Sequence, residues 1–166
     1  MRLAAAAILL FALPAAAAPL LPGSPRLELR MEGLFGQPTT RLGSRGGGAL
    51  GIAWRLTDQL ALMGDAGARF APGGGIGSVA FGLQATLDAT PIAPWLEVAV
   101  VDLSNRRAVG YTLATRTGIG ADWMFSRGIG IGVAVRTYTA LDPEDDNPTV
   151  AGVEGAIRLI VTSAAF

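Results

Sequence analysis

Apolar and polar residues alternate in eight separate stretches of this 166-residue chain. In the last stretch Val153 and Ile157 occupy one set of alternating positions, and Glu154 and Arg158 occupy the other. Successive side chains of a β-strand point to opposite faces, so this period predicts strands. In most stretches one face is apolar, while the other carries glycine and charged residues. A closed antiparallel sheet in lipid needs that arrangement, with its apolar face outside.

The lengths of the predicted links indicate how the strands are joined. We expect strands at about 26–36, 48–56, 60–70, 78–88, 95–103, 110–125, 129–141 and 150–166. The odd-numbered links, at 37–47, 71–77, 104–109 and 142–149, are longer than the even-numbered links at 57–59, 89–94 and 126–128. Long links on one rim and short turns on the other are typical of outer-membrane barrels. The expected fold is an all-β, eight-stranded antiparallel up-and-down transmembrane barrel over residues 26–166.

The N-terminus has the features of a cleavable signal peptide. Arg2 precedes an apolar run from 3 to 13, and Pro14 and the alanines at 15–18 provide small residues for cleavage. The run is shorter than the roughly 20 residues that a spanning helix needs, which disfavours a membrane anchor. We expect a signal peptide at 1–18, a short lead at 19–25, and export through the secretory pathway to the bacterial outer membrane.

The composition excludes several kinds of chemistry. The chain has no cysteine and no histidine, so disulfides, thiolate metal sites and most hydrolase triads cannot form. Its net charge is zero, which gives no general attraction for nucleic acid. We therefore predict no enzymatic activity, no cofactor and no nucleic-acid partner.

Charged side chains on the polar faces are expected to line the barrel interior. Each would cost a few kcal/mol against lipid near the middle of the membrane, and an eight-stranded barrel is just wide enough for side chains to fill it. Inward glycines leave room for long arginine side chains, which can hold carboxylates in bidentate contact. We predict a plugged lumen with an ion-pair network of Glu28, Arg30, Glu32, Arg55, Asp65, Arg69, Asp88, Glu97, Arg116, Asp122, Arg136, Glu154 and Arg158.

Aromatic residues lie toward both ends of the predicted strands. Aromatic side chains form girdles at the two membrane–water interfaces of such barrels. We therefore predict one girdle near the short turns and another near the longer links, made respectively of Trp54, Trp95, Trp123 and Phe125, and of Phe35, Phe70 and Tyr111.

The alternation, the link lengths and the terminal Phe166 resemble the small eight-stranded outer-membrane barrels. That group includes the transmembrane domain of outer-membrane protein A and outer-membrane protein X, and the resemblance covers about residues 26–166. It implies that the barrel assembly machinery reads the C-terminal strand through Phe166. Phe166 has an even number, whereas Ile157 and Leu159 have odd numbers, so in a regular strand Phe166 would point to the opposite face. We therefore expect a bulge near Thr162 or a turn at the strand end. Lipid-modifying enzymes with eight-stranded barrels are similar in size, but they rely on a catalytic histidine.

The predicted function is that of an integral, monomeric outer-membrane barrel with a structural or surface-interaction role. A narrow nonspecific pore is one alternative. A soluble periplasmic lipocalin-like carrier, whose interior must be apolar, is another. The expected partners are outer-membrane lipid and lipopolysaccharide, whose phosphates could contact Arg41, Arg45, Arg106 and Arg107 in the outward loops.

The predicted loop at 142–148 contains four carboxylates. Oxygen ligands of this kind could bind Ca²⁺ or Mg²⁺, but the spacing is not that of an EF-hand. A solvated charged loop is the favoured interpretation.

Overall fold

The computed structural model describes residues 27–37, 45–71, 74–87, 92–104, 113–126, 128–141 and 152–162. Consecutive strands pair antiparallel, and the last strand pairs with the first, so the sheet is closed. This confirms the predicted all-β, eight-stranded antiparallel barrel. The strands are β1 (Leu27–Gln37), β2 (Arg45–Arg55), β3 (Leu60–Ala71), β4 (Gly74–Thr86), β5 (Ile92–Leu103), β6 (Leu113–Met124), β7 (Ile129–Ala140) and β8 (Gly152–Thr162).

Among the residues that the structure describes, no helix is long and apolar enough to span a bilayer.

The pairing register sets the tilt of the strands. If each residue is followed to its partner on the next strand, the path that starts at Leu27 leads around the barrel and back to β1 at Gln37. The stagger of the closed sheet is therefore ten residues. With about 3.3 Å per residue and about 4.7 Å between strands, this stagger gives a tilt of roughly 40°. One residue therefore advances about 2.5 Å along the barrel axis.

The wall of the barrel is apolar and its interior is polar. The outward side chains of Leu50, Val79 and Val133 are 66%, 63% and 58% exposed, whereas the inward side chains of Arg116 and Glu154 are 1% exposed. A lipocalin-like carrier has the opposite orientation, with an apolar interior. The lipocalin-like alternative is therefore wrong.

Several strand boundaries differ from the predicted ones. Because β3 ends at Ala71 and β4 already begins at Gly74, the third link contains only residues 72 and 73 and is not a long link. The glycine-rich stretch that resembles a loop in the sequence instead continues the ladder. β8 pairs regularly with β1 as far as Thr162, opposite Glu28, so no bulge occurs up to that point. Phe166 and the predicted signal peptide lie outside the described residues.

Pro94 lies within β5, although the sequence places it in a turn. Its carbonyl oxygen accepts a hydrogen bond from the backbone N–H of Leu87 at 2.8 Å. In a β-strand, the N–H and C=O groups of one residue point toward the same neighbouring strand. Because the carbonyl group of Pro94 points toward the segment just beyond β4, its missing N–H would face that segment too. The ladder between β5 and β6 is therefore left intact, which is how a strand tolerates proline.

Glycines on the inward face make room for the side chains that fill the lumen. A Cβ atom at Gly118 would lie 2.9 Å from Cγ of Glu97. One at Gly120 would lie 2.2 Å from Cζ2 of Trp95 and 2.4 Å from the carbonyl oxygen of Val133. The indole ring thus occupies the volume that a larger residue at position 120 would need.

We expect Gly120→Ala to destabilise the barrel by about 1–3 kcal/mol, because the added methyl group meets a backbone oxygen that cannot move alone. Urea unfolding of the refolded protein in lipid vesicles measures this. Gly46→Ala is the matched control, since a Cβ atom there meets nothing within 4 Å. Equal losses of stability in both variants would show that the packing against Trp95 is not the cause.

Candidate functional site: the barrel interior

The structure places twelve of the thirteen predicted lumen residues on the inward face. Ten of them are at most 8% exposed, while the side chains of Arg55 and Asp65 are 19% and 9% exposed. Asp88 lies outside the described residues. The twelve consist of six carboxylates and six guanidinium groups, so this part of the lumen is neutral overall. Buried charges of either sign are tolerated only when they are paired and hydrogen-bonded.

The central cluster is a chain of five alternating charges that crosses the lumen. Arg116 donates to both carboxylate oxygens of Asp65, at 3.1 and 2.5 Å. Its Nε lies 2.9 Å from Oε1 of Glu97 as an ion pair without hydrogen-bond alignment. Arg136 donates to Glu97 at 2.7 Å and holds Glu32 in bidentate contact. These five residues come from five different strands, so the chain connects opposite walls of the barrel.

A second cluster lies toward the rim that carries the first, third, fifth and seventh links. Arg69 contacts Glu154 through Nε and Nη2, the second contact being 2.9 Å long. Its other hydrogen bonds run to the hydroxyl oxygens of Ser78 at 2.7 Å and Tyr138 at 2.9 Å. The hydroxyl of Tyr138 in turn donates to Glu154 at 2.8 Å. The tyrosine therefore completes a closed triangle with the arginine and the glutamate.

A third cluster, toward the opposite rim, corrects the prediction for Trp95. This side chain is 3% exposed and points into the lumen, so it does not belong to an interfacial girdle. Its Nε1 donates to Oδ1 of Asp122 at 3.1 Å, and the guanidinium carbon of Arg158 lies 4.0 Å from the centre of its ring. Arg158 also donates to Asp122 at 2.7 Å. The indole thus serves as a hydrogen-bond donor and as a cation–π partner.

The remaining inward charges form a fourth cluster near the same rim. Glu28 accepts hydrogen bonds from Arg30 at 2.7 Å and from Arg55 at 2.6 Å. Arg30 donates further to Oε1 of Gln84 at 2.7 Å, and the amide nitrogen of Gln84 donates to Thr86 at 3.0 Å. A neutral pair on β4 therefore extends the charged cluster across the lumen.

The predicted ion-pair network left out the uncharged members of these clusters. Tyr138 shares the parity of Arg136 along β7, and Trp95 shares the parity of Glu97 along β5. Parity alone would have placed both side chains inside. Selecting inward residues by charge overlooked them, and it also overlooked Ser78, Gln84 and Thr86.

Apolar side chains fill the parts of the lumen that the charges leave. One buried cluster includes Ile76, Val101 and Leu103 near the ends of β4 and β5, and it reaches Tyr138. Another includes Leu34 on β1 and packs beside Trp95. Both charged clusters and apolar clusters therefore occupy the interior, as expected for a barrel of eight strands.

Five of the outward aromatic residues lie at the two ends of the barrel, whereas Phe81, 64% exposed, lies in the middle of β4. Trp54, Trp123 and Phe125 are 55%, 52% and 54% exposed near one rim, and Phe35 and Phe70 are 52% and 68% exposed near the other. The rings of Trp123 and Phe125 meet edge to face, with centroids 6.3 Å apart. Tyr111 lies outside the described residues.

The residues that the sequence suggested for a metal site and for phosphate contacts are not among those whose side chains the structure describes. Within the described ranges, no group of three or more histidine, cysteine, aspartate or glutamate side chains could hold a metal ion. The acidic loop at 142–148 is outside those ranges, as are Arg41, Arg106, Arg107 and the side chain of Arg45.

Glu97 is the carboxylate on which the central chain depends. We expect Glu97→Gln to lower the free energy of unfolding by about 3–5 kcal/mol, because both Arg116 and Arg136 lose a buried counter-charge. Urea unfolding in vesicles measures the loss. Asp58→Asn is the control, since Asp58 contacts Arg55 through its backbone oxygen; it should change stability by less than about 0.5 kcal/mol. A similar small effect at Glu97 would contradict the assigned network.

The orientation of the tryptophans can be tested by fluorescence. In Trp54→Phe/Trp123→Phe the remaining Trp95 is enclosed in the lumen, so we expect brominated acyl chains to leave its emission nearly unchanged. In Trp95→Phe/Trp123→Phe the remaining Trp54 faces outward, and the same lipids should quench it strongly. Equal quenching in the two variants would contradict the inward position of Trp95.

Comparison with known proteins supports the fold. No protein-family model and no curated protein matches the chain. The crystal structure of Neisserial surface protein A is 13% identical, with a TM-score of 0.56 over 81% of this chain and 96% of that one. The N-terminal β-barrel domain of Pseudomonas aeruginosa OprF is also 13% identical, with a TM-score of 0.54 over 80% and 96% of the two chains. The outer membrane enzyme PagL is 21% identical, with a TM-score of 0.54 over 80% and 98%. The chain therefore has the fold of the small eight-stranded outer-membrane barrels.

Proposed function

We propose that the chain is an integral protein of the bacterial outer membrane, with a sealed barrel and a structural or surface-interaction role. The observation that carries this proposal is the inverted distribution of side chains, with an apolar wall around a paired, charged interior. The similarity of the fold to that of solved outer-membrane barrels supports the same location.

The extent of the apolar wall supports a position within lipid. Soluble monomers rarely expose contiguous apolar patches larger than a few hundred Å². Here outward apolar side chains occur on every strand, and on β1 they extend from Leu27 to Phe35. Eight residues at about 2.5 Å each give a height of roughly 20 Å, close to the ~25 Å apolar band of outer-membrane barrels.

The pairing in the lumen supports a sealed barrel over a narrow pore. Water in an open channel would hydrate the inward charges and leave them partly exposed. Arg116, Arg136 and Glu154 are instead 1% exposed, and each is held by an oppositely charged partner. Removing such a group from its partner costs several kcal/mol, so spontaneous opening of the lumen is unfavourable.

The same pairing supports a role without catalysis. PagL is an enzyme with a similar fold, but this chain has no histidine or cysteine to act as base or nucleophile. The buried carboxylates of Glu97 and Glu154 are bound by Arg136 and Arg69 respectively. We therefore assign the activity of the protein to its wall and its outward links.

Export and assembly complete the proposal. The signal peptide at 1–18 would direct the chain through the secretory pathway, and the barrel assembly machinery would recognise the C-terminal strand through Phe166. Lipopolysaccharide and outer-membrane lipid are the proposed partners of a monomeric barrel.

Two measurements on the full-length protein test location and sealing. We expect the expressed protein in the outer-membrane fraction, with a mobility on gels that shifts on heating, because the closed barrel resists detergent until it is boiled. Planar bilayers that contain the purified protein should show no steady single-channel conductance. Recovery in the soluble periplasmic fraction would contradict the location.

A variant of the central chain provides the control for conductance. Asp65→Ala/Arg116→Ala removes one buried pair without changing net charge and leaves Glu97 bound to Arg136. The lost volume should admit water, so small conductance steps are expected for this variant. Steady conductance in the wild type would contradict sealing and favour the pore.

A further inference from the structure

Polar residues interrupt the apolar wall on three neighbouring strands. Thr115 pairs with Thr139 and Thr117 pairs with Thr137 across β6 and β7, and Asp102 faces outward on the adjacent β5. The hydroxyl oxygens of Thr117 and Thr137 are 2.8 Å apart, and both side chains are exposed. We refer to these five residues as the hydroxyl patch.

Apolar side chains surround the hydroxyl patch. Thr117 pairs on its other side with Val98 on β5, and Thr137 pairs with Val153 on β8. Val135, two residues before Thr137 on the same face, is 51% exposed. The patch is therefore a local polar area set into a wall that is otherwise matched to acyl chains.

The register fixes the depth of the patch along the barrel axis. Thr117 is six residues from Trp123, which corresponds to about 15 Å along the axis. Thr139 is ten residues from Ile129, so the two residues lie about 25 Å apart along the axis. In an apolar band of ~25 Å, the patch occupies the part nearest the rim that carries the first, third, fifth and seventh links. Outer-membrane barrels place their longer loops on the outside of the cell, and in that orientation this is the level at which outer-leaflet acyl chains join their headgroups.

The chemistry of the patch selects its partner. A hydroxyl or carboxylate against acyl chains is unfavourable unless it finds a hydrogen-bond partner. The contact between Thr117 and Thr137 uses one hydroxyl hydrogen and leaves the other available for donation. Asp102 can only accept when ionised. A complementary partner must therefore supply carbonyl acceptors together with N–H or O–H donors at that depth.

We propose that the hydroxyl patch binds lipopolysaccharide through the amide and hydroxyl groups at the base of its acyl chains. Those groups provide donors for Asp102 and a carbonyl acceptor for the hydroxyl hydrogen that the contact between Thr117 and Thr137 leaves available. The linkage region of a phospholipid offers only ester acceptors and leaves Asp102 unmatched. A second copy of the chain would need about 800 Å² of contact on each partner, much more than five side chains present. The inference rests on the proposed outer-membrane location.

The test compares lipid retention by matched variants. Thr117→Val/Thr137→Val removes both hydroxyls and keeps the β-branched shape, whereas Thr117→Ser/Thr137→Ser keeps the hydroxyls. Each protein is extracted from outer membranes in mild detergent, and bound lipid is counted by native mass spectrometry. We expect the wild type and the serine variant to retain lipopolysaccharide, and the valine variant to retain roughly five-fold less. Retention of phosphatidylethanolamine should be the same in all three.

Asp102→Leu is a second, independent test of lipopolysaccharide binding by the hydroxyl patch. It removes the acceptor on β5 while both hydroxyls remain, and it should also lower lipopolysaccharide retention without affecting phosphatidylethanolamine. This variant keeps the inference testable if the valine variant is not recovered in folded form.

Four results would contradict the inference or the proposed function, and each can be told apart from the others. Equal lipopolysaccharide retention in membrane-embedded wild-type and valine variants overturns the inference and leaves the proposed function intact. A matching loss of phosphatidylethanolamine overturns the choice of glycolipid. Loss of a dimer mass in the valine variant assigns the patch to a second copy instead. Recovery of the wild type in the soluble fraction overturns the proposed function itself.

Discussion

The need to pair every buried charge governs the interior of this barrel. Eight strands enclose a space in which side chains touch across the axis, so a guanidinium group there cannot retain its water shell. Arg116 and Arg136 therefore each reach two carboxylates, and Arg69 reaches one carboxylate and two hydroxyls. The glycines beside these groups follow from the same need: Gly118 pairs with Glu97 on β5 and with Arg136 on β7, and a Cβ atom there would meet both side chains.

The fold could be predicted from the sequence because the alternation of apolar and polar residues determines most of it. Alternation predicted eight strands and which of their residues face outward, and the link lengths indicated how the strands are joined. The third link was mispredicted because glycines resemble a loop when read alone, although Gly75 and Gly77 pair with β3 in the ladder. Pro94 was assigned to a turn for a similar reason. Whether a proline lies within a strand depends on which neighbour its nitrogen faces, and that is a property of the register.

The charged residues of the interior could also be predicted, but the connections among them could not. Parity identifies a residue as inward without showing which partner it meets on the far side of the barrel. The stagger of ten residues sets those meetings: it brings Glu32 on β1 to Arg136 on β7, and Arg69 on β3 to Glu154 on β8. The inward position of Trp95 was available from parity, yet its closeness to a turn suggested an interfacial role instead.

The central chain of alternating charges has a consequence for how the barrel assembles. Its members belong to β3, β6, β5, β7 and β1, and Glu32 reaches Arg136 only when β1 has joined the sheet beside β8. In a sheet whose seam is still open, Arg136 would keep Glu97 but lack Glu32, its second counter-charge. Closing the seam between β1 and β8 therefore completes the neutralisation of the central chain, and a barrel with an open seam leaves a buried guanidinium group only partly compensated.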